Sequence, residues 1–153
     1  KTGLRAKEIF SLEWRCIDFD ANVIHILNPK NGRNRVAFIT DEIRRLFEQI
    51  TGTHRANDYV FPSRNDGKRK AISKVFFKIV AELGFNDEIA DRRQHVVFHS
   101  LRHTFASKLV SAGVDLYRVK ELMGHRTISQ TERYAHVRAS DLREAVGLLE
   151  RAG

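Results

Sequence analysis

The stretch His99-Ser100-Leu101-Arg102-His103-Thr104-Phe105-Ala106-Ser107-Lys108-Leu109 decides how this chain is read. Its spacing predicts a helix. His99 and Arg102 lie three apart and share one face, whereas Leu101, Phe105 and Leu109 lie four apart on another. On that pattern the leucine–phenylalanine face is buried and the other presents an imidazole beside a guanidinium. A fixed positive charge next to the imidazole opposes a metal cation and suits a phosphate oxygen.

Downstream of this helix, Gly113 closes it and Asp115 is placed to cap the next, whose buried stripe is Leu116, Val119 and Leu122 and whose stop is Gly124. His125 and Arg126 then emerge at a helix end. Ser129 to Glu132 has the form of a capping box, so a new helix is expected there with Tyr134 on its early turns. The last amphipathic run, Asp141 to Glu150, carries Leu142, Val146 and Leu149, a stripe that suits closure of its own core.

Upstream, Ile9, Leu12 and Cys16 predict a helix over 4–16, with Arg5 and Glu8 on one side and Trp14 and Ile17 ending it in the core. Residues 22–27 and 34–39 are β-rich and flank Pro29-Lys30-Asn31-Gly32-Arg33, where Asn-Gly marks a hairpin turn. Lys30 therefore sits near a hairpin tip, with Arg33 as its rival. Pro29 donates no ladder hydrogen bond, so this strand is expected to end early or bulge. Residues 41–51 form a helix capped by Thr40 or Asp41, with Ile43, Leu46, Phe47 and Ile50 inward. Residues 59–62 read as a short buried extended segment, and 63–70, SRNDGKRK, as a basic loop. A further helix over 72–83 has Val75, Phe76, Ile79, Val80 and Leu83 as its stripe and Gly84 as its stop. Residues 86–94 form a charged connection. His95, His99 and His103 are spaced as a zinc-binding face. However, His95 precedes β-branched Val96-Val97, outside the helix, and no carboxylate or cysteine completes a ligand set, so no metal is expected.

The elements add up to one mainly α domain (α+β) over 1–153, with a small antiparallel β-hairpin or sheet near the N-terminus. Its 153 residues suffice for one core. No apolar run approaches the roughly 18 residues that cross a bilayer, and no signal peptide is visible, so a cytoplasmic location is expected. The single cysteine, Cys16, rules out an internal disulfide framework and fits a reducing compartment. Twenty-seven Lys+Arg against 19 Asp+Glu give a net charge of +8, a balance common to chains that bind DNA, RNA or anionic lipid and shared by basic surfaces that are merely solvated. There is no G-x-x-x-x-G-K-[ST] motif, so nucleotide hydrolysis is not expected.

Thr2-Gly3-Leu4-Arg5, the hairpin lysine, His99-Ser-Leu-Arg102-His103, Leu122-Met-Gly-His125 and Tyr134 together resemble the catalytic domain of the tyrosine recombinases, the phage-integrase family. The resemblance runs through nearly the whole chain and keeps the family's order of motifs. It implies Arg5, Lys30, His99, Arg102 and His125 around a nucleophilic Tyr134, with Glu8 helping to hold the site. It also implies a 3′-phosphotyrosine intermediate, double-stranded DNA as substrate and other protomers as partners, with a tetramer on DNA and the C-terminal helix possible as a docking element in trans. Because the chain opens at Lys1-Thr2-Gly3, inside a motif, it reads as a fragment that lacks the family's N-terminal DNA-clamping domain and first catalytic helices. Arg33, Arg35, Lys68, Arg69, Lys70 and Arg126 are the expected DNA contacts.

The chemistry needs these residue types. A phenol of ordinary pKa near 10 is a poor nucleophile at neutral pH and needs cations around it. Two arginines suit the oxygens on which charge builds, and losing one such donor costs on the order of 3 kcal/mol. His99 is the expected acceptor of the phenol's proton and Lys30 the donor to the leaving 5′ oxygen. The phosphotyrosine stores the energy of the broken bond, so rejoining requires neither ATP nor a divalent ion, and no cofactor is expected. Three rival readings make other predictions. A non-catalytic basic DNA-binding module loses nothing measurable on Tyr134→Phe, a zinc hydrolase binds metal, and a type IB topoisomerase relaxes supercoils as one protomer.

Overall fold

Two small hydrophobic cores form, and the charged residues of interest gather where they meet. The computed structural model describes residues 1–27, 34–50 and 52–135. Lys30 and Arg33, the hairpin tip, Thr51 and the amphipathic run 141–150 lie outside the described residues.

The first core is built on the sheet. Helix α1, Ala6–Phe10, is much shorter than the helix expected over 4–16. The backbone beyond it is claimed by another segment: Val60 N–H donates to Leu12 O at 2.8 Å, Trp14 N–H to Asp58 O at 3.1 Å and Arg15 N–H to Ala56 O at 2.8 Å. A 3₁₀ turn, Trp14–Cys16, leads into strand β1, Ile17–Asp18, which the hairpin reading lacks. Strands β2, Val23–Ile26, and β3, Arg35–Phe38, complete an antiparallel sheet in the order β1-β2-β3. Ile24 faces Ala37 and Ile26 faces Arg35. Leu4, Leu12, Cys16, Ile24, Ile26, Ala37, Ile39, Phe47 and Val60 are buried together.

Helix α2, Asp41–Glu48, lies over this core, capped by the Thr40 hydroxyl. Phe47 is its buried residue, whereas Leu46, expected inside, is half exposed. Helix α3, Lys74–Glu82, is capped by Ser73 and buries Val80 alone. Val75, Ile79 and Leu83, expected inward, are exposed because α3 sits at the periphery, held to the next helix by the Phe76–Phe98 ring contact at 5.4 Å.

The second core lies between helices α4, Phe98–Ser111, and α5, Leu116–Met123. Ala106, Val119, Met123 and Tyr134 are buried, with Phe105, Leu109, Val110 and Val114 packed against them. The inward face of α4 is the expected one at Phe105 and Leu109, which pack against the core, but not at Leu101. Arg102 and Ala106 are buried while Leu101 is 54% exposed, because the Arg102 guanidinium donates to the Gly3 and Met123 carbonyls and turns its own face inward. Asp115 caps α5 as expected, its Oδ1 accepting from Tyr117 and Arg118 N–H at 3.0 Å each. Helix α6, Ser129–Glu132, is a single turn and the capping box does not form. Ile128 takes the cap position, so Ser129 is already helical, and Tyr134 follows the helix rather than riding on it. Among the described residues no helix is long and apolar enough to cross a membrane.

Candidate active site

The C-terminus of α5 organises the site. Gly124, left-handed at φ 60°, ends the helix with its N–H bonded to Glu121 O and the His125 N–H bonded to Lys120 O, both at 3.0 Å. The next three carbonyls, at the negative end of the helix, each receive a guanidinium. Arg35 Nη1 donates to Leu122 O at 3.2 Å, Arg102 Nη2 donates to Met123 O, and Arg5 Nη2 donates to Gly124 O at 2.8 Å. Three arginines from α1's entry, β3 and α4 thus converge on three consecutive residues.

Glu8 holds this convergence together. Its carboxylate accepts from Arg5 Nη1 at 3.0 Å, from the Arg5 backbone N–H at 2.6 Å and from Arg35 Nη2 at 2.8 Å. Burial pulls the Arg35 guanidinium below its ordinary pKa; Glu8 works against that shift and neighbouring Arg5 adds to it. Arg102 is pushed down to about 10, first by burial and then by Arg5, with Glu8 opposing. Arg102 therefore stays charged at neutral pH.

The imidazoles complete the cluster. His125 Nδ1 and Thr131 Oγ1 share a hydrogen bond of 2.8 Å, and Thr131 is fully buried. Burial and the four surrounding arginines, Arg102, Arg5, Arg133 and Arg35, bring His125 down to about 4, so it is neutral at physiological pH. His99 is exposed at the mouth, its pKa also lowered by burial and by Arg102 and Arg5. Tyr134 is 7% exposed, and its hydroxyl lies 2.5 Å from His103 Nδ1. Burial raises its pKa, while Arg133 and Arg102 pull the other way.

Arg5, Glu8, Arg102, His125 and Tyr134 therefore share one locality, with His99 on its rim. Arg35, expected on the DNA face, is turned into the cluster with an 11% exposed side chain. In β3 the apolar Val36 and Phe38 point outward, and Arg35 shares the inward face with Ala37. Arg69, another expected DNA contact, donates through Nη2 to Pro62 O at 3.0 Å on its own loop. Lys68 lines a cleft of about 650 Å³ together with Arg5, Lys7, Arg15 and His25. Lys70 and Arg126 are exposed. His103, Thr131 and Arg133 were not among the expected site residues. The signal for His103 was the spacing itself, since i+4 from His99 shares the face that i+3 does. His95 stands apart, its Nε2–H donating to Ile89 O at 2.9 Å, and among the described residues no three His, Cys, Asp or Glu side chains are grouped to hold a metal ion.

Residues 1–141 match the model of the phage integrase family. The chain belongs to that family. It is 32% identical over 142 residues to the tyrosine recombinase XerA of Saccharolobus solfataricus, covering 93% of this chain and 44% of that protein. The tyrosine recombinase XerC of Xanthomonas campestris is 33% identical over 140 residues, covering 89% and 41%. The chain thus spans about half the length of the curated relatives it matches. Among solved structures, the catalytic domain of bacteriophage HP1 integrase superposes with a TM-score of 0.61 at 29% identity, covering 95% of this chain and 74% of that one. The Tn1549 transposon integrase in complex with circular intermediate DNA shares the fold, with a TM-score of 0.76 at 24% identity over 97% and 56%. The mainly helical fold with its small antiparallel sheet is therefore that of phage-integrase catalytic domains.

Proposed function

We propose that this member of the phage integrase family is the catalytic domain of a site-specific recombinase that cuts and rejoins duplex DNA through a 3′-phosphotyrosine at Tyr134. The observation that carries the reading is the convergence of Arg5, Arg102 and His125 on the end of α5 with Tyr134 three residues beyond Thr131. The curated relatives, which are named tyrosine recombinases, support it.

The residues divide the work by chemistry. Each guanidinium has five N–H donors, and the bonds to α5 carbonyls and Glu8 leave others to meet the non-bridging oxygens of a phosphate. His125, neutral and held through Nδ1 by Thr131, offers Nε2 to the same group. The Tyr134 hydroxyl gives up its proton, for which His99 is the proposed acceptor, and its oxygen bonds to phosphorus as the bond to the 5′ oxygen breaks; that 5′ oxygen takes a proton, for which Lys30 is the proposed donor. Attack by a different 5′-hydroxyl reverses the step and releases the phenol. Lys68, Lys70, Arg126 and Arg33 are the proposed backbone contacts, and further protomers on the same DNA supply the second pair of strands. Such a reaction takes place where prokaryotic DNA lies, in the cytoplasm.

The test is a nicked suicide duplex, drawn from a library randomised about the nick. Covalent protein–DNA adduct that disappears in Tyr134→Phe supports the reading. DNA binding without adduct moves the chain to a non-catalytic binding module, and relaxation of supercoils without strand exchange moves it to a topoisomerase.

A further inference from the structure

We propose that His103 is the positioning residue of Tyr134: its Nδ1 accepts the phenol's hydrogen bond and holds the hydroxyl in place for attack. This rests on the reading of Tyr134 as the nucleophile.

The contact is a hydrogen bond between the tyrosine and helix α4, beside the packing of Tyr134 in the cluster that includes Ala106. The hydroxyl stands 2.5 Å from Nδ1, with ring centroids 5.8 Å apart and planes tilted by 48°. His103 follows Arg102, whose guanidinium is tied to Gly3 and Met123, so the imidazole leaves the helix at a height fixed by a buried neighbour. His99, one turn earlier, packs edge-on against His103 at 4.6 Å and 88°, which restricts rotation of the ring. The expected proton acceptor, His99, thus stands behind His103, and His103 stands against the phenol.

Chemistry sets the direction of the bond. The groups that face His103 are His99 and Arg102 from α4 and Arg133 and Tyr134 from the segment after α6. Burial lowers the His103 pKa, and His99, Arg133 and Arg102 lower it further, so the ring is neutral near pH 7. A neutral imidazole has one acceptor nitrogen. The phenol, its pKa raised by burial, keeps its proton and donates it. Nδ1 accepts and Nε2 carries the ring hydrogen. Protonation of His103 at lower pH makes Nδ1 a donor and reverses the bond.

The experiment uses the full chain labelled with ¹³C at tyrosine Cζ. Three tyrosines give three signals, and that of Tyr134 is the one lost in Tyr134→Phe. In the wild type the Tyr134 signal is expected to step as His103 titrates, below the ordinary imidazole value of about 6.5. In His103→Leu the step vanishes and the signal moves at neutral pH. In His103→Asn, whose Oδ1 stands near the position of Nδ1, the step vanishes but the neutral-pH signal stays near the wild-type position. A His103→Leu signal that overlays the wild type throughout the titration overturns the proposal. If His103→Leu does not fold, His103→Asn decides, and a retained step in that variant overturns it.

Single-turnover adduct formation on the nicked library supplies the second readout. His103→Leu is expected to slow the first-order step about tenfold, the worth of one neutral hydrogen bond, with half-saturating DNA unchanged. His103→Asn restores much of that rate. Equal losses in both variants, or a parallel loss of DNA affinity, mark a merely structural residue and overturn the proposal. A wild type that makes no adduct removes the reading of Tyr134 as nucleophile, and the Cζ titration still decides the contact.

Discussion

Arg35 lies so close to Gly124 that a Cβ added there would stand 2.4 Å from its Nε and 2.5 Å from its Cδ. The left-handed backbone at Gly124, which ends α5, is thus also the surface on which the third arginine rests. Gly124→Ala meets two costs: about 1 kcal/mol or more for a β-carbon at positive φ, and displacement of Arg35 from Leu122 O and Glu8. Gly113→Ala meets only the first, since its φ is 81° and nothing lies within 4 Å of its Cβ position. Urea denaturation is expected to show Gly124→Ala the less stable by at least about 2 kcal/mol. Equal losses in the two variants would show that Arg35 does not rest on Gly124.

Glu8 and Arg35 form a pair in which each side chain is 11% exposed. Breaking such a pair leaves an uncompensated charge away from water. Glu8→Gln is therefore expected to cost about 3 kcal/mol of unfolding free energy in the absence of DNA. Arg35→Ala is likewise expected to lower the denaturation midpoint without any ligand. A DNA-backbone role for Arg35 predicts the reverse, with unchanged stability and a salt dependence of DNA binding shallower by about one counterion. Measuring both on one variant separates a brace from a DNA contact.

What the sequence made legible was local. Asp115 and Gly124 delimit α5 because cap chemistry acts within four residues, and strands β2 and β3 follow from their β-rich composition. What it concealed was settled by distant partners. The expected helix over 4–16 yields after Phe10 because residues 56–60 take the backbone hydrogen bonds of Leu12, Trp14 and Arg15. Arg35 was legible as a charge but not as an inward one, because Val36 and Phe38 advertise the opposite face of β3. Leu101 misled in the same way. The motif residues Arg5, Arg102, His125 and Tyr134 were visible through family likeness, whereas their common anchor, the three carbonyls ending α5, has no side-chain signature.

Acid is expected to destabilise the chain between about pH 6.5 and 4. In the unfolded chain His125 takes a proton near 6.5, while in the folded one it resists until about 4. Over that window the unfolded state binds more protons, so unfolding free energy falls as pH falls. His99 and His103, lowered in the same direction, add to the slope. Denaturation midpoints across pH 7.5 to 4 are expected to decline, and His125→Asn to flatten the decline by up to one proton. A decline as steep in that variant as in the wild type would mean that His125 titrates normally.

Thr131 tests whether His125 must be held by its Nδ1. The residue is fully buried, and its hydroxyl is the described partner of that nitrogen. Thr131→Val keeps the shape and removes the hydroxyl, leaving Nδ1 unpaired at a cost of about 1–3 kcal/mol. The imidazole then gains by turning toward water, which takes Nε2 away from the place where Arg5 and Arg102 would meet a phosphate. Adduct formation on the nicked duplex is expected to fall at least about tenfold in Thr131→Val, as for the loss of an oriented donor, and to recover in Thr131→Ser. Stability should follow the same order. Because Thr131 lies three residues before Tyr134 on the turn that carries both, a Tyr134 Cζ signal unchanged in Thr131→Val assigns the lost rate to His125 rather than to a displaced tyrosine.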